Sequence, residues 1–562
     1  MYPAGGQART CNTLRDFHAR PPPGSLPMPT VAQVIGQRLF DAGCRHSFGI
    51  PGGEVLAVLQ GVDGAGVKFT LVKHENAGGF MAEGTFHRSG APAVLIATLG
   101  PGVANAVNVV ANALQDRVPM VFLTGCVDDA DAATYTHQVF DHSALLRPIT
   151  KATFRVSAAS AEALIDKALA IALDDPPGPV HIDVPISVAT QQVVPAVGTR
   201  RQRPAPNAPA AGRELAQARE WLAAARRPIL LAGLEANHHA AEREIARLVE
   251  DFRIPLITTY KAKGIVDERN PLVLGGAGLS PQADKVLLPL LESSDLVLLA
   301  GYDPIEMRVG WRNVWGPQAR VVEFCATRNT HYMHQAALSF VGDLRCGLGA
   351  LADGLRGAST WTVQETQALR ARLRAIYRMD EDWGPAAIVD VARRTLPSNT
   401  VASVDSGAHR ILFSQTWQSH EPRALMQSNG LCTMGCSLPL GIGARLADPG
   451  RPVAVFTGDG CLDMTLGELI TARDSGAPVM VLVFADDSLS LIDLKQRANG
   501  QPGLGVDFGA TDYAAVARAL GGLGFEVRSR AELAAAITEA LAAPSFSVIA
   551  CRLPRQAYAG RI

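Results

Sequence analysis

Several features are missing from this 562-residue sequence, and each absence excludes a class of protein. The formal net charge is only -1, so bulk charge gives no reason to expect a nucleic-acid partner. No uninterrupted apolar run reaches the roughly 18 residues of a membrane-spanning helix, so we expect no membrane partner. The nine cysteines form no CxxC pair, which argues against a zinc or disulfide framework and favours reduced core thiols in a cytoplasmic protein.

Two signature segments are absent as well. No G-x-G-x-x-G turn follows a strand with an acid about 20 residues further on, so a nicotinamide-dependent dehydrogenase is the least favoured enzyme class. Residues 1–29 contain no apolar core of the kind that secretory signals carry. Because this stretch is rich in Pro, Gly and Arg, we expect a disordered tail, with an organelle transit peptide as the alternative.

Short, continuous Val/Ile/Leu runs recur along the rest of the chain, at residues 91–98, 118–125, 227–233, 294–302, 451–458 and 477–485. Such runs are typical of strands that are covered on both faces of a parallel sheet. Their alternation with amphipathic helices predicts three doubly wound α/β domains. A Pro/Ala/Arg linker at 199–213 and a looser stretch that begins near residue 355 place the domains at 30–198, 214–356 and 381–562, with the second linker at 357–380.

One stretch of the third domain has the geometry of a metal site. The strand "RPVAVFT" ends at the Gly-Asp-Gly turn of residues 458–460, and the strand "APVMVLVF" ends at Asp486. A right-handed β-α-β crossover places Asp459 and Asp486 at the same carboxyl edge of the sheet, where such sheets bind ligands. Glycines beside a helix N-terminus suit a phosphate, and paired carboxylates suit Mg²⁺. An ordinary acidic β-α turn is the alternative.

The same stretch resembles the motif of the thiamine-diphosphate (ThDP) enzymes, which begins with GDG and usually ends in Asn-Asn. By that resemblance, Mg²⁺ is held by the side chains of Asp459 and Asp486 and by the main-chain oxygen of Ser488. Asp486 stands where most of the family has Asn. This departure also occurs in the catabolic, FAD-independent acetolactate synthases, which "FADDSLSLIDLKQ" resembles.

A glutamate near the N-terminus is the second requirement of the family. "FTLVKHENAGGFMAEG" (69–84) resembles the family's "RHE-x-x-A-x-x-M-A" segment, with Glu75 between a strand and a helix. The resemblance implies that the Glu75 carboxylate binds N1′ of the cofactor's aminopyrimidine and activates the cofactor. An acid that merely stabilises a helix N-terminus is the alternative for this residue.

Further cofactor contacts are implied by two other segments. "SNGLCTMGCSLPLGIGA" (428–444) resembles "SGGLGTMGFGLPAAIGA", in which Met434 would wedge the cofactor into its bent shape and the Cys432 backbone would bond the aminopyrimidine. "DSGAHR" (405–410) resembles the loop that holds the diphosphate. A plain core methionine at 434 and a surface histidine at 409 are the alternatives. The remaining implied cofactor contacts are Gly407, Ala408, His409, Gly458, Gly460 and Cys461.

The substrate pocket is implied by segments similar to those of the catabolic synthases. Gly100 lies in "TLGPG" (98–102), and Gln138 would point its amide at the substrate. Lys495 replaces a Gln near the acceptor pocket and leaves the identity of the substrate open. The central domain lacks the "GMHG" and "RFDDRVTG" segments of the FAD-containing members, so FAD is not expected.

The resemblance implies decarboxylation of a 2-oxo acid, with pyruvate as the expected donor, followed by carboligation. Decarboxylases of the family often carry an adjacent His pair on the segment directly after the first glutamate, and that segment has no such pair here. A related decarboxylase or acyl-transferring lyase with another substrate is the alternative enzyme. A non-catalytic, ThDP-binding regulatory paralogue is the alternative outside enzymes. By resemblance, Glu75 and the GDG turn act across a subunit interface, so a homodimer or homotetramer is expected.

Overall fold

A computed structural model of the chain describes residues 28–193 and 205–562, and it contains three six-stranded sheets in which neighbouring strands run parallel. The predicted tail up to residue 27 and residues 199–204 of the first predicted linker lie outside the described residues. Helices connect the strands and cover both faces of each sheet. The predicted architecture of three doubly wound α/β domains is therefore confirmed.

The first sheet contains β1 (His46–Ile50), β2 (Lys68–Leu71), β3 (Ala93–Ala97), β4 (Met120–Cys126), β5 (Ala152–Arg155) and β6 (Pro179–Pro185). Its strand order is β2-β1-β3-β4-β6-β5. Its helices are α1 (Val31–Asp41), α2 (Leu56–Gly64), α3 (Glu75–Ser89), α4 (Pro101–Gln115), α5 (Asp129–Ala132), α6 (His142–Leu146), α7 (Ala161–Leu173) and α8 (Ile186–Ala189). The central strands β3 and β4 are buried throughout, which explains their continuous apolar sequences.

The second sheet contains β7 (Pro228–Ala232), β8 (Leu256–Thr259), β9 (Val273–Ala277), β10 (Leu296–Ala300), β11 (Arg320–Cys325) and β12 (Leu338–Val341). Its strand order is β12-β11-β10-β7-β8-β9. Its helices are α9 (Arg213–Ala224), α10 (Leu234–His238), α11 (Glu242–Glu250), α12 (Pro281–Glu292), α13 (Leu344–Ala352) and α14 (Val363–Ile376). Helix α14 occupies most of the segment that the sequence predicts as the second linker.

The third sheet contains β13 (Val401–Val404), β14 (Leu425–Met426), β15 (Val453–Gly458), β16 (Met480–Ala485), β17 (Leu523–Val527) and β18 (Ser547–Arg552). Its strand order, β14-β13-β15-β16-β18-β17, repeats the order of the first sheet. Its helices are α15 (Pro385–Thr395), α16 (Ala408–Thr416), α17 (Ser437–Ala447), α18 (Asp459–Thr465), α19 (Glu468–Asp474), α20 (Ser490–Ala498), α21 (Tyr513–Ala519) and α22 (Arg530–Leu541).

One apolar core is shared by the first and third domains, and it contains Phe80 and Met81 of α3 together with Leu440 of α17. Two glycines let these helices cross in contact. A Cβ atom on Gly84 would lie 2.2 Å from the carbonyl oxygen of Leu440, and one on Gly443 would lie 1.9 Å from that of Met81. Any larger side chain at either glycine would force the two helices apart.

A buried polar junction joins all three domains. Lys261 of the central domain places its Nζ 2.8 Å from Asp116 Oδ2 at the end of α4. Asp116 in turn accepts the backbone N–H of Gly430 at 2.7 Å. Glu306 Oε1 accepts the Lys261 N–H at 3.0 Å and the Asn429 side-chain amide at 2.7 Å. The loop that begins at Ser428 is thus anchored to both other domains.

Within residues 28–193 and 205–562, no helix combines the length and the apolar character that crossing a bilayer requires.

Candidate active site

Asp459 and Asp486 meet at the carboxyl edge of the third sheet, as the sequence predicts. Strands β15 and β16 pair in parallel up to Gly458 and Phe484, so the residues that follow them are neighbours. Asp459 Oδ2 accepts the backbone N–H groups of Asp486 at 2.9 Å and of Asp487 at 2.7 Å. Its Oδ1 accepts the N–H of Gly460 at 2.8 Å. The Asp459 carboxylate therefore organises both turns of this edge.

The two carboxyl groups are buried and influence each other. Burial raises the pKa of Asp459 to about 6 and that of Asp486 to about 7, and the charge of Asp459 adds to the effect on Asp486. The Ser490 hydroxyl donates to Asp486 Oδ2. Ser488 is buried beside them. Two adjacent buried carboxylates are stabilised in their charged forms by a cation, so this donor set fits a hard divalent ion such as Mg²⁺.

A polar cradle lies next to this pair, at the start of α16. Gly407 has a φ of 146°, and a Cβ atom on it would lie 2.8 Å from the His409 ring. A Cβ atom on Gly458 would approach the same ring to 3.0 Å. Both glycines thus make room for the imidazole, while Ala408 at the start of α16 is buried beside it.

His409 is buried and stacks on Phe484, with 5.4 Å between ring centroids, so it is not a surface residue. Burial lowers its pKa to about 3, which keeps the imidazole neutral. Among the described residues, neither His409 Nε2 nor Ser406 Oγ has a hydrogen-bond partner. Buried polar atoms are rarely left unpaired, so this cradle fits a ligand that is rich in hydrogen-bonding oxygens, such as a diphosphate.

The loop from Ser428 to Cys436 forms another wall of the edge. Asp405, at the end of β13, accepts the N–H of Gly435 at 2.8 Å and the hydroxyl of Ser437 at 2.8 Å. Met434 is half-buried. Cys432 is exposed rather than a core thiol, and its φ of 54° lies in the left-handed region.

One contact attaches α16 to this loop, and a second attaches α18 to the segment that precedes α16. The buried guanidinium of Arg410 donates to Cys432 Sγ at 3.1 Å. The Cys461 thiol donates to the Ser406 carbonyl at 3.1 Å. Neither Asp405 nor Arg410 was singled out from the sequence, although both lie in the "DSGAHR" segment that was.

Glu75 is the first residue of α3 and is only 4% exposed. The Asn105 side chain donates to Glu75 Oε2 at 3.0 Å. A Cβ atom on Gly102 would lie 3.3 Å from Glu75 Oε1, so glycine leaves space beside the carboxylate. Asn105 is a partner that the sequence motifs did not reveal, because it lies 30 residues from Glu75 on another helix.

Helix α4 connects Glu75 with the loop of the third domain. Asn105 contacts Glu75, and Asn108, one turn later, accepts a hydrogen bond from the Thr433 hydroxyl at 3.0 Å. The backbone N–H of Lys73, just before α3, donates to Glu468 Oε1 of α19 at 3.0 Å. The segment that carries Glu75 is therefore fixed to the third domain from two sides.

The residues predicted for the substrate pocket fall into two places. Gly100 has a φ of 68°, and a Cβ atom on it would lie 2.5 Å from the carbonyl oxygen of Gln138, so these two residues are packed together. The side chain of Gln138 is exposed. Lys495 lies on a different element, the exposed side of α20.

Three family models match the chain in the order of its domains. Residues 29–145 match "Thiamine pyrophosphate enzyme, N-terminal TPP binding domain", residues 215–351 match the central domain, and residues 405–551 match the C-terminal TPP binding domain. This chain belongs to the thiamine pyrophosphate enzymes. Asp405, Asp459 and Asp486 lie in the segment matched by the C-terminal binding domain, and Glu75 lies in that of the N-terminal one.

Curated relatives place this thiamine pyrophosphate enzyme near the acetolactate synthases. The acetolactate synthase of Bacillus subtilis is 28% identical over 90% of this chain and 89% of its own length. The catabolic acetolactate synthase of Raoultella terrigena is 29% identical over 92% and 94%. A probable 2-ketoarginine decarboxylase of Pseudomonas aeruginosa is 32% identical over 82% and 83%. The predicted family is thus confirmed, and the chain is an enzyme that acts on carbon–carbon bonds.

Proposed function

We propose that this enzyme uses ThDP and Mg²⁺ to decarboxylate a 2-oxo acid, with pyruvate as the donor, and to join the remaining two-carbon unit to a second carbonyl compound. The observation that carries the proposal is the edge of the third sheet. There the paired carboxyl groups of Asp459 and Asp486 adjoin His409 Nε2 and Ser406 Oγ, which have no hydrogen-bond partner among the residues that the structure describes. That combination suits a metal-bridged diphosphate.

Each side of the cofactor would contact its own group of residues. Mg²⁺ would be held by Asp459, Asp486 and the main-chain oxygen of Ser488. The diphosphate would lie against Gly407, Ala408, His409, Gly458, Gly460 and Cys461. The aminopyrimidine would lie against Cys432 and Met434. When bound, ThDP supplies an electron sink for the loss of CO₂.

The protein's part in the reaction is to move a proton and to shape the substrate pocket. Glu75 would hold or release a proton at its carboxyl group, beside the aminopyrimidine. Asn105 supports this role because it donates to one Glu75 oxygen and leaves the other open toward Gly102. Gly100 and Gln138 would border the 2-oxo acid on the same side.

We infer carboligation rather than simple release of an aldehyde. The segment directly after Glu75 contains no adjacent His pair; the only adjacent pair in the sequence, His238 and His239, lies in the central domain. Burial lowers the pKa of His238 well below its ordinary value, so this imidazole is a poor proton donor. FAD is not expected, because the central domain lacks the two sequence segments of the FAD-containing members.

A donor other than pyruvate is the second candidate. The relative with 32% identity is named a probable 2-ketoarginine decarboxylase, which would act on a longer and cationic 2-oxo acid. Lys495, which the resemblance to the catabolic synthases puts near the acceptor pocket, would suit an acidic partner instead. The substrate is therefore best settled by a panel of acidic, neutral and cationic 2-oxo acids.

The experiment begins with the purified protein and mass spectrometry under native conditions to detect bound ThDP. Pyruvate consumption, CO₂ release and 2-acetolactate are then measured with ThDP and Mg²⁺, after chelation, and after Mg²⁺ is returned. Carboligation predicts one CO₂ and one acetolactate per two pyruvates, and activity that vanishes on chelation. Aldehyde release would favour the decarboxylase alternative. Bound ThDP without turnover of any 2-oxo acid would favour a regulatory paralogue, and activity in chelated, ThDP-free protein would refute the site.

The assembly and the location of the enzyme are also proposals. We propose a homodimer or homotetramer in the cytoplasm, with domains at 30–198, 214–356 and 381–562. Light scattering coupled to size-exclusion chromatography measures the assembly. Limited proteolysis followed by mass spectrometry measures the boundaries, with first cleavage expected at 199–213.

A further inference from the structure

A buried polar network lies behind Gly100, inside the first domain. His142 begins α6, Thr124 lies on β4, and His181 and Asp183 lie on β6. Strands β4 and β6 pair so that Thr124 stands beside Asp183. All four side chains are buried. The network ends on the backbone, because His142 Nε2 accepts the N–H of Gly100 at 3.3 Å.

The hydrogen bonds assign every proton in the network. His142 Nδ1 lies 2.8 Å from Asp183 Oδ1, and the Thr124 hydroxyl lies 2.7 Å from the same oxygen and 2.7 Å from His181 Nε2. Although burial opposes it, the bonded His142 and the nearby His181, whose Nε2 lies 3.5 Å from Asp183 Oδ1, hold the pKa of Asp183 well below its ordinary range. The carboxylate is therefore an acceptor for both His142 Nδ1–H and the Thr124 hydroxyl.

The tautomers of both histidines follow from this arrangement. Thr124 has one proton and gives it to Asp183, so His181 Nε2 must be the donor to Thr124 Oγ1. His142 carries its proton on Nδ1, which leaves a lone pair on Nε2 for the Gly100 N–H. The result is a continuous chain of hydrogen bonds that orients a neutral imidazole toward one backbone amide.

A metal ion is the competing interpretation of the same residues. One ligand atom from each of His142, His181 and Asp183 lies within 4.8 Å of the others. The Thr124 hydroxyl bridges two of these atoms, however, and His142 already bonds directly to Asp183. An ion would have to displace these short contacts, so the hydrogen-bonded network accounts better for the geometry.

We propose that His142 is a positioning residue for the substrate pocket, acting through Gly100; this inference rests on the proposed function. Gly100 packs directly on the Gln138 backbone, and both residues have left-handed φ values of 68° and 59°. The bond from His142 fixes the peptide that enters Gly100 and hence the contact with Gln138. Asp183 and Thr124 act one step further away, by fixing the His142 ring.

Two amide variants of His142 test the roles of its two ring nitrogens separately. In His142→Gln, the side-chain amide reaches the place of Nε2 and can accept from Gly100. In His142→Asn, the amide stands at the place of Nδ1 and can donate to Asp183 but cannot reach Gly100. We expect His142→Asn to lower kcat/KM for the 2-oxo acid about tenfold or more, because it leaves a buried N–H unpaired. His142→Gln should stay within about threefold of the native enzyme.

Other measurements distinguish positioning from general damage. ThDP affinity should change little in either variant, whereas the unfolding temperature should fall further in His142→Asn, which leaves the Gly100 N–H unpaired. Equal losses of kcat/KM in both variants, or a loss that follows ThDP affinity, would overturn the proposal. A transition metal that stays bound in stoichiometric amount after chelation would overturn it in favour of the metal site.

The network can also be tested without any substrate. Nitrogen-15 NMR of the histidine-labelled native enzyme should show His142 protonated on Nδ1 and not on Nε2. A proton on Nε2 would overturn the inference even if the proposed reaction is correct. The expected tautomer in a protein that turns over no 2-oxo acid would instead refute the proposed function and leave the network in place.

Discussion

Glu75 offers the sharpest test at the scale of single residues. Glu75→Gln preserves shape and the bond from Asn105 but removes the ionisable proton. We expect turnover to fall by about 10² or more, the usual effect of losing acid–base assistance, while ThDP stays bound. Steady-state kinetics and native mass spectrometry provide the measurements. Glu539→Gln on the exposed side of α22 is the matched control, and near-normal turnover in Glu75→Gln would contradict the assignment.

A second residue-scale prediction concerns the two acids after β16. Asp486→Asn keeps an oxygen ligand but loses a charge, so it should stay active and bind Mg²⁺ more weakly; Asp486→Ala should lose both. Asp487→Asn should have little effect, because the Asp487 side chain is turned toward Arg552, at 3.3 Å. Its φ of 56° also suits Asn.

Titration of ThDP-dependent activity with Mg²⁺ in the three variants measures this difference. If Asp487→Asn is the damaging change and Asp486→Ala is harmless, the metal ligand has been assigned to the wrong residue of the pair.

Sequence reasoning at this scale succeeds where a motif fixes position and fails where partners are distant. Asp459 and Asp486 were expected to meet because strand ends share an edge, and they do. Asn105, Asp405 and the Thr124–Asp183 pair could not be anticipated in the same way. Each is a single polar residue whose importance depends on which remote segment packs against it.

At the scale of elements, the crossing of α3 and α17 gives a third prediction. Gly443→Ala should destabilise the enzyme, because the new methyl group would overlap the Met81 carbonyl and overpacking typically costs about 1–3 kcal/mol. Gly349→Ala in α13 is the matched control, since its methyl group would meet nothing within 4 Å. That change should stabilise by about 0.5–1 kcal/mol through helix propensity alone. Chemical denaturation of both variants checks the opposite signs, and a stable Gly443→Ala enzyme would contradict the tight crossing.

The strands could be predicted from the sequence more accurately than the helices and the helix boundaries. The apolar run at 477–485 contains β16 (Met480–Ala485), and the run at 91–98 contains β3 (Ala93–Ala97). Helix α14 lies within the predicted linker 357–380 and was not predicted, although Thr362 and Glu365 form a capping box at its N-terminus. Few of its side chains are buried, so its sequence shows little of the apolar periodicity by which a core helix is predicted.

On the scale of the whole molecule, the junction of the three domains should make stability depend on pH. Burial raises the pKa of Glu306 from 4.5 to about 7. The native state therefore keeps a proton that the unfolded chain releases, so the contribution of Glu306 is complete below pH 4.5 and is lost as the pH rises through about 7. Glu306→Gln should flatten the pH dependence of the unfolding temperature over this range.

Calorimetry of the native enzyme, of Glu306→Gln and of Glu539→Gln at several pH values measures the effect. If the unfolding temperature of Glu306→Gln changes with pH as steeply as that of the native enzyme, another group dominates the pH dependence.

The sharing of one core by the first and third domains was beyond sequence reasoning. Hydrophobic periodicity can indicate that α3 is buried, but it does not identify the helix that covers it. From sequence alone, Gly84 and Gly443 are expected only to destabilise their helices, and their role becomes clear when the facing carbonyl groups are known. The matching strand order of the two sheets leaves no visible repeat in the sequence.

Because the first and third domains share one core, that core can form only after both domains have been synthesised. Helix α3 ends at Ser89, and its partner α17 begins at Ser437. At about 5–20 residues per second, a ribosome needs on the order of 20–70 s to make the chain between them. During that interval the first domain has no α17 to cover Phe80 and Met81. The nascent chain therefore exposes an apolar helix face for many seconds. We expect chaperones that bind such faces to cover it until the third sheet emerges.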